Sequence, residues 1–408
     1  MGSQSIQLLW IATMADKHSS LSQDSKKKLI RVTAIPGSMR HLLRGQLKFM
    51  SQYYEVVAIC SDDHGKMQLM LHEQGDIRGI TVEIKRHPSP WHDLKTLFKL
   101  IKVFRQEKPF IVHTHTPKAG LLGMMAAKLT GVPHRLHTVA GLPLLVHQGM
   151  GRKVLNLMER TTSACATQVF PNSHAMMKIM EDEGLCKPRK MRVIGNGSSN
   201  GVDTRHFSPG AITENKSELR RNAGVGEGEF VFVFIGRIVK DKGMNELARS
   251  VALLAEKGLR FKVILVGGYE SRLDPLDEDA KKVFEEHSFV KYVGKQVDVR
   301  PFLKMADAFV FPSYREGFPN VVMEAGAMGL PAIVTDINGC NEIIVDGKNG
   351  RIIPPKDTEA LTDMMKWFIE QPKEVERMAA NAREMVVTRY ERAFIWDELL
   401  KTYQALEK

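Results

Sequence analysis

Short apolar runs alternate with longer segments of helical periodicity along most of the chain. In the first half the predicted strands are 29–34, 56–60, 110–113 and 135–138, and the predicted helical segments are 39–53, 94–107, 119–130 and 153–166. In the second half the strands are 230–235, 261–266, 308–311 and 331–335, and the helices are 242–257, 277–287, 299–305 and 319–328. Alternation at this spacing predicts parallel sheets with helices on both faces. We therefore expect an α/β protein with two doubly wound, Rossmann-like domains.

The length agrees with two domains, because 408 residues are too many for a single hydrophobic core. We divide the chain into a leader (1–28), an N-terminal domain (29–203), a C-terminal domain (204–385) and a helical segment (386–408) that packs back toward the N-terminal domain. The apolar stretch of the leader is too short to cross a membrane and lacks the basic start of a signal peptide. The leader is expected to be disordered, to contact a membrane surface, or to come from a misassigned start codon.

Metal and disulfide chemistry have little support in the sequence. The four cysteines are scattered without a C-x-x-C pair, so neither a disulfide framework nor a zinc site is expected, and a reducing compartment is the default. His113 and His115 point to the same face of a strand end, but no third ligand lies near them in the sequence. We therefore expect no metal and no cofactor.

Positive charge is concentrated in the first half of the chain. Residues 1–200 carry 28 Lys and Arg against 14 Asp and Glu, a net charge of +14, whereas residues 201–408 carry 30 against 33. This asymmetry favours an anionic partner that contacts only the first half. Nucleic acid, an anionic membrane surface and a pyrophosphate-linked acceptor are all compatible with it.

Two carboxylates, Glu316 and Glu324, follow the strand predicted at 308–311. Glu316 lies in the loop at the carboxyl end of that strand, where open α/β sheets bind their ligands. Glu324 lies one turn inside the helix predicted at 319–328, whose first N–H groups have no intrahelical partner and suit an anion. A phosphate-binding helix start beside two carboxylates that accept hydrogen bonds from hydroxyls is the combination that a nucleotide-sugar needs.

A second phosphate-binding loop follows the strand predicted at 230–235. The strand runs into Gly236 and Arg237, and Lys242 and Gly243 follow at the start of the next predicted helix. A guanidinium fork and an ammonium group in a strand-to-helix loop can together bind a diphosphate. An isolated pair of glutamates would ordinarily be surface charge, and this upstream loop is what favours a binding site.

With these motifs the chain resembles glycosyltransferase family four, the group 1 glycosyltransferases with the GT-B fold, over roughly residues 30–408. The resemblance rests on Gly236 with Arg237, Lys242 with Gly243, the Glu316 and Glu324 pair, and Gly339 with Glu342. It implies two domains that face a cleft, with the acceptor on the N-terminal side and the nucleotide-sugar on the C-terminal side. It also implies a retaining, metal-independent transfer from a nucleoside-diphosphate sugar.

The resemblance implies roles for individual residues. Glu324 binds the ribose hydroxyls, Glu316 lies at the donor sugar, and Arg237 and Lys242 hold the diphosphate. Gly37 matches a loop that closes over the diphosphate, and His137 matches a strand-end histidine that faces the donor sugar. The expected catalytic residues are Glu316, His137, Arg237 and Lys242. The expected donor-binding residues are Gly37, Gly236, Arg237, Lys242, Val297, Phe318, Pro319, Asn320, Val321 and Glu324.

The resemblance thus implies a cytoplasmic enzyme, peripheral on the inner face of the membrane, that acts in surface polysaccharide synthesis. It would move a hexose or N-acetylhexosamine from a UDP-sugar to a polyprenyl-diphosphate-linked saccharide. A nucleotide-sugar epimerase of the same fold is an alternative that needs no acceptor. A basic nucleic-acid-binding protein belongs to a different class, and the first half shows neither interleaved aromatic residues nor a recognition motif for it.

Overall fold

The computed structural model describes residues 26–85, 87, 89–270 and 274–408. Most of the predicted leader, residues 1–25, lies outside the described residues. The chain divides into two compact units, one with residues up to His137 and Thr161–Gln168, and the other with Thr138–Arg160 and Val169–Lys408. The predicted domain boundary at 203 and 204 remains a prediction.

Twelve strands of the described residues form two six-stranded parallel sheets. The first sheet has the order β3-β2-β1-β4-β5-β6 and the second has the order β12-β11-β10-β7-β8-β9. The strands of the first are β1 (Lys28–Val32), β2 (Glu55–Cys60), β3 (Arg78–Thr81), β4 (Ile111–His115), β5 (His134–Val139) and β6 (Gln168–Pro171). Those of the second are β7 (Phe230–Ile235), β8 (Phe261–Val266), β9 (Val290–Gly294), β10 (Ala308–Phe311), β11 (Ala332–Thr335) and β12 (Gly350–Ile353).

Counted from its first strand, β1 or β7, each sheet has the same strand order. This is the order of the doubly wound Rossmann fold. The strand order reverses between β1 and β4 in the first sheet and between β7 and β10 in the second. The crevice outside the carboxyl ends of the strands at such a reversal is where these folds bind ligands. The predicted fold class, α/β with two doubly wound domains, is confirmed.

Helices connect the strands. In the first half they are α1 (Pro36–Leu42), α2 (Gln46–Met50), α3 (Lys66–Glu73), α4 (Pro90–Glu107), α5 (Pro117–Leu129), α6 (Gly149–Cys165) and α7 (His174–Asp182). In the second half they are α8 (Lys216–Asn222), α9 (Met244–Glu256), α10 (Glu278–Glu286), α11 (Arg300–Met305), α12 (Asn320–Ala327), α13 (Cys340–Ile343), α14 (Thr358–Glu370), α15 (Pro372–Tyr390) and α16 (Arg392–Ala405). No helix among the described residues is both long enough and apolar enough to cross a membrane.

Phenylalanine packing fixes the ends of β7 and β10 in the second sheet. The sequence of β7 is apolar at every position and almost wholly buried, as expected for a central strand covered on both faces. The Phe311 ring stacks on Phe234 of β7 with centroids 6.0 Å apart, and on Phe309 at 5.7 Å. The loops that leave these two strands therefore start from a rigid base.

The helix predicted at 39–53 is wrong as a single element. The structure has α1 and α2 instead, separated by Gly45 at φ +78°. A left-handed residue ends a right-handed helix, and glycine adopts that conformation at little cost. The predicted C-terminal helical segment comprises the end of α15 and α16, where Trp396 Nε1 donates to Asn200 Oδ1 at 2.7 Å.

Burial of Glu159 on α6 makes the stability of the protein depend on pH. Burial raises the pKa of this carboxyl from its ordinary value of 4.5 to about 7. Between these two values the folded state binds more protons than the unfolded state, so the stability falls as the pH rises, and the penalty is complete above pH 7. From a shift of this size we estimate the penalty at about 3 kcal/mol.

We expect Glu159→Gln to raise the melting temperature at pH 8 and to leave it nearly unchanged at pH 5, because the amide carries no charge to desolvate. Thermal unfolding of both proteins across this range measures the difference. An equal gain at both pH values would show that the effect is not ionisation of Glu159.

Candidate active site

Three loops meet at the carboxyl ends of β7, β10 and β11. The strand β10 lies between the other two, so the segment after β10 (312–319) has the loop after β7 (236–243) on one side and the loop after β11 (336–339) on the other. This is the reversal point of the second sheet. The predicted residues Arg237, Lys242 and Glu316 all lie on these loops.

The structure brings Lys242 and Glu316 together as an ion pair. The ammonium of Lys242 donates to Oε1 of Glu316, and Ser313 Oγ donates to the same oxygen at 3.1 Å. Both charged side chains are largely enclosed, with exposed fractions of 13% and 16%. The Lys242 ammonium also lies 5.5 Å from the centroid of the Phe311 ring. A cation and a carboxylate therefore share one partly buried position at the end of β10.

Gly243 allows the two loops to come this close. It has φ +70°, and a Cβ atom built on it would lie 2.0 Å from the carbonyl oxygen of Pro312. Any side chain here would clash with the backbone that leaves β10 and would also strain the left-handed conformation. The glycine after Lys242 is thus a condition for the contact between Lys242 and Glu316.

Arg237 lies in a neighbouring, more exposed network. Its Nη1 donates to Glu270 at 3.0 Å, its Nη2 lies 3.9 Å from Asp241, and about half of its side chain is exposed. Arg315 donates to the other oxygen of Asp241 at 2.9 Å. The guanidinium of Arg237 is therefore available to a ligand at the cost of one partly exposed ion pair, with Glu270, and a longer contact with Asp241.

Helix α12 begins immediately after the Glu316 loop. Pro319 stands at the N-cap position, and its ring offers no capping group to the first N–H groups of the helix. Asn320, Val321 and Glu324 are partly exposed at positions i, i+1 and i+4. Phe318 is buried, and its ring packs on Tyr390 with centroids 5.3 Å apart. The helix start predicted for phosphate binding is therefore present.

Gly236 and Val297 lie in different structural environments. Gly236 follows β7 directly and donates its N–H to the carbonyl of Val266 at 3.0 Å. Val297 is fully exposed in the segment between β9 and α11. Gly236 therefore lies at the start of the loop after β7. Val297 does not pack with the other predicted site residues. The contact of Val297 with a donor stays a prediction.

Gly37 and His137 belong to the other compact unit. Gly37 lies in the first turn of α1, so the expectation of a loop at this position is wrong; Pro36, with its fixed φ, starts the helix there. His137 is 2% exposed, and its Nδ1 lies 2.8 Å from Thr114 Oγ1. Burial lowers the pKa of His137 to about 4, which keeps the ring neutral at pH 7. Its predicted contact with a donor sugar requires the ring to become accessible.

Asn338, which the sequence reasoning did not single out, holds the Glu316 loop in place. Its Nδ2 donates to the carbonyl oxygens of Glu316 at 3.1 Å and Gly317 at 2.6 Å, while its Oδ1 accepts from Ser173 Oγ at 2.7 Å. The only sequence signal was its position beside Gly339 in a motif of the resemblance. Asn338 thus links the backbone under Glu316 to the segment after β6.

Glu342 makes a second link between the same two segments. Its two carboxylate oxygens accept from the backbone N–H groups of His174 at 2.8 Å and Ala175 at 3.0 Å. These N–H groups begin α7, where a carboxylate is favourable to the helix dipole. Gly317 is equally constrained, because a Cβ atom on it would lie 1.8 Å from the carbonyl oxygen of Ala140.

If the site has the activity that the resemblance implies, Asn338→Ala should lower turnover about tenfold or more with little change in UDP affinity, because the loop that carries Glu316 loses its anchor while Arg237, Lys242 and the start of α12 stay in place. Asn341→Ala is a matched control, since the side chain of Asn341 donates to the exposed Asp336 at 2.9 Å and not to the Glu316 loop. Steady-state kinetics and calorimetry with UDP measure both effects. Equal kinetics for the two variants would contradict a positioning role for Asn338.

No group of three or more His, Cys, Asp or Glu side chains within the described chain is arranged to hold a metal ion. The chemistry that the described residues offer at this position is a set of fixed positive groups, a helix start and two carboxylates. Such a set can bind a diphosphate and the hydroxyl groups attached to it.

Two family models match the chain in separate segments. The model for glycosyl transferases group 1 matches residues 215–385, and the model for the glycosyl transferase 4-like domain matches residues 39–197. The first match contains the loops after β7, β10 and β11. The second covers most of the first sheet.

Similarity to individual proteins extends over nearly the whole chain. The chain is 34% identical over 367 residues to the capsular polysaccharide biosynthesis glycosyltransferase CapM of Staphylococcus aureus, which covers 90% of this chain and 94% of that protein. It is 29% identical to the UDP-Gal:alpha-D-GlcNAc-diphosphoundecaprenol alpha-1,3-galactosyltransferase of Escherichia coli, again with 90% and 94% covered.

Among solved structures, the fold is similar to that of HepE of Anabaena in complex with UDP. The TM-score is 0.77 at 20% sequence identity, and the match covers 93% of this chain and all of HepE. At this identity the likeness shows the fold alone. It agrees with the two doubly wound sheets described above.

Proposed function

This chain belongs to the group 1 glycosyltransferases, and on that premise we propose that it moves a hexose or N-acetylhexosamine, with retention of configuration, from a UDP-sugar to a lipid-linked saccharide in surface polysaccharide synthesis. The observation that carries the proposal is the Lys242 and Glu316 pair, held between two loops beside the start of α12. A positive group for a diphosphate and a carboxylate for a sugar are adjacent there.

The donor is proposed to lie along the β7 and β10 loops. Lys242 and Arg237 bind the diphosphate together with the N–H groups that begin α12, and Glu324 accepts hydrogen bonds from the ribose hydroxyls. Lys242 can turn from Glu316 toward phosphate oxygens, since an ammonium carries three donors on a flexible stem. The carboxylate of Glu316 then faces the sugar. The remaining proposed donor residues are Gly37, Gly236, Val297, Phe318, Pro319, Asn320 and Val321.

In the proposed reaction the bond between the anomeric carbon and the diphosphate oxygen breaks, and an acceptor hydroxyl oxygen bonds to the same face of that carbon. The hydroxyl proton passes to the departing phosphate oxygen, so the products are UDP and the extended saccharide. Negative charge grows on the diphosphate as the bond breaks. Arg237 and Lys242 lower the barrier because they stabilise this charge most in the transition state. His137 remains a proposed donor-side residue on the resemblance alone.

The acceptor is proposed to be a saccharide on a polyprenyl diphosphate. The Escherichia coli relative is named for an acceptor of this chemical class, and the net charge of +14 on residues 1–200 suits both a diphosphate and an anionic membrane. We accordingly propose a peripheral position on the inner face of the membrane. A nucleic-acid partner is not needed to account for the charge.

A screen of donors tests the proposal directly. The purified chain is incubated with UDP- and GDP-sugars, with and without a polyprenyl-diphosphate-linked saccharide, and UDP or GDP release and saccharide extension are measured. We expect extension from at least one UDP-sugar. Release of a free epimer without an acceptor would favour the epimerase alternative, and no nucleotide release from any donor would contradict both.

Transfer is expected to continue in excess EDTA, because the proposed diphosphate ligands are side chains and backbone N–H groups. The rate with EDTA is compared with the rate in added magnesium or manganese. Loss of activity on chelation, with recovery on addition of manganese, would overturn the metal-independent mechanism.

A further inference from the structure

Helix α4 exposes three large apolar side chains on one side. Trp91 is 82% exposed, Leu94 45% and Phe98 62%. Their spacing of i, i+3 and i+7 places them on one face of a helix. The side chains on the opposite side are fully buried: Thr96, Leu100 and Phe104. The helix therefore has two apolar faces, one packed in the protein and one turned to solvent.

Specific contacts fix the orientation of α4. Glu107, its last residue, accepts hydrogen bonds from Arg78 of β3 and Lys28 of β1, both at 2.8 Å. The Arg78 hydrogen bond lowers the pKa of Glu107 to about 2, so the carboxylate stays ionised. The helix also packs along α5. The exposed apolar face is thus a property of the folded unit and not of a loose segment.

Three lysines border the exposed apolar side chains. Lys95, Lys99 and Lys102 are exposed, and at roughly 100° per residue they lie within a quarter turn of Trp91 around the helix axis. None of the three ammonium groups has an ion-pair partner among the described residues. Their charges are therefore available to an external anionic partner.

We infer that this side of α4, formed by Trp91, Leu94, Phe98, Lys95, Lys99 and Lys102 and here called the α4 face, docks on a lipid bilayer that contains anionic headgroups. Helices that lie in the membrane interface combine aromatic and aliphatic side chains on one side with flanking lysines. The inference rests on the proposed function in one respect, since a lipid-linked acceptor would be reached at such a surface.

Area and charge favour lipid over a protein partner. The three apolar side chains expose roughly 400 Å² together, about half of the ~800 Å² that each partner buries in a stable protein interface. Insertion into a bilayer needs no complementary surface and gains from every apolar group buried. The lysines match anionic headgroups, and each contributes to binding near a negatively charged surface.

Vesicle binding of the full chain tests the α4 face with matched variants. One variant carries Trp91→Ser, Leu94→Ser and Phe98→Ser, and a second carries Lys95→Glu, Lys99→Glu and Lys102→Glu. The controls remove exposed leucines elsewhere, with Leu69→Ser and Leu253→Ser, or reverse the same number of charges, with Lys281→Glu, Lys282→Glu and Lys291→Glu. Sedimentation with phosphatidylcholine vesicles, with and without phosphatidylglycerol, measures the affinity.

We expect the apolar variant to lose about tenfold or more in affinity for anionic vesicles. The lysine variant should lose roughly a hundredfold at low salt, and its difference from the unmodified protein should disappear in 1 M salt, where charges are screened within about 3 Å. Both controls should bind like the unmodified protein. Large losses in the two α4 variants but not in the controls would distinguish insertion of the α4 face from general electrostatic attraction of a basic protein.

Fluorescence of Trp91 reports insertion itself. Vesicles that contain anionic lipid should shift the tryptophan emission to shorter wavelength, and lipids brominated on the acyl chains should quench it. Trp91→Phe keeps an aromatic ring, so it should bind vesicles almost normally while losing this part of the signal. A shift that persists in Trp91→Phe would mean that another tryptophan meets the lipid.

Three outcomes would overturn the inference. The first is unchanged vesicle binding in both α4 variants. The second is loss of binding in a variant of the exposed Met150, Val154 and Leu157 of α6 but not in the α4 variants. The third is a protein that is dimeric until the α4 face is altered, which would make a second copy the occupant. Donor hydrolysis in detergent is measured in parallel, so a failed proposed function is distinguishable from a failed docking surface.

Discussion

Replacing Lys242 by methionine is expected to weaken UDP binding about a hundredfold or more while the fold is retained. The substitution removes a charged donor to the diphosphate, worth roughly 1.5–3 kcal/mol. It also leaves the carboxylate of Glu316, which Lys242 neutralises in the structure, without a counter-charge near the incoming phosphates. Adding Glu316→Gln to Lys242→Met should recover about tenfold, because the repulsive charge is then gone. Calorimetry with UDP on the single and double variants measures this coupling.

Lys240 is the matched control for this experiment. It lies two residues earlier in the same turn, but its ammonium is directed to Asp277 at 3.7 Å and its side chain is half exposed. Lys240→Met should therefore bind UDP almost normally. If Lys240→Met loses as much affinity as Lys242→Met, general charge and not the pair would be responsible. If the double variant binds UDP no better than Lys242→Met, the unneutralised charge of Glu316 does not repel the phosphates.

Glu316→Gln and Glu324→Gln are expected to have opposite effects on binding and turnover. If Glu324 accepts hydrogen bonds from the ribose hydroxyls, its loss of charge weakens bonds worth roughly 1.5–3 kcal/mol each, so UDP affinity should fall about ten- to a hundredfold. Glu316→Gln should leave UDP affinity nearly intact or slightly raised, since Lys242 is released from its ion pair. Its turnover should fall about a hundredfold or more, because the carboxylate at the sugar is lost.

Calorimetry with UDP alone, followed by turnover with the identified donor, measures the two effects separately. UDP contains the ribose and the diphosphate but not the transferred sugar, so it reports on Glu324 directly and on Glu316 only through the ion pair with Lys242. Loss of UDP affinity in Glu316→Gln but not in Glu324→Gln would mean that the assigned roles are reversed. If neither variant loses UDP affinity, the ribose binds elsewhere.

The eight strands predicted from the sequence are the inner strands of the two sheets, and the four that were missed are the outer ones. β3, β6, β9 and β12 stand at the edges. An inner strand of a parallel sheet is covered on both faces and reads as a continuous apolar run, as β7 does. An edge strand has one neighbour, and β3, β9 and β12 have partly exposed residues, whereas β6 is largely buried but has only four residues and ends in a proline. The sequence of an edge strand therefore resembles that of a loop.

In the candidate site, too, some features could be predicted from local sequence and others could not. The sequence alone located the loops after β7 and β10 that are proposed to bind phosphate, since each directly follows a buried strand and carries local signals such as the glycine and cation after β7. It also located Glu316 and Glu324, because the start of α12 is visible from the preceding strand and proline. Each of these inferences depends on residues within one strand, loop and helix.

Only the tertiary structure decided how these segments meet. Lys242 pairs with Glu316 across 74 residues, and Asn338 reaches Ser173 across 165. Contacts of this kind depend on which strands become neighbours and on close approaches at glycines such as Gly243. His137 is the opposite case. Its position at a strand end suggests contact with a ligand, but its side chain is buried in the structure because α5 packs over it. Periodicity and motifs are read along the chain, whereas charge pairing and burial are set by residues that the fold brings from far apart.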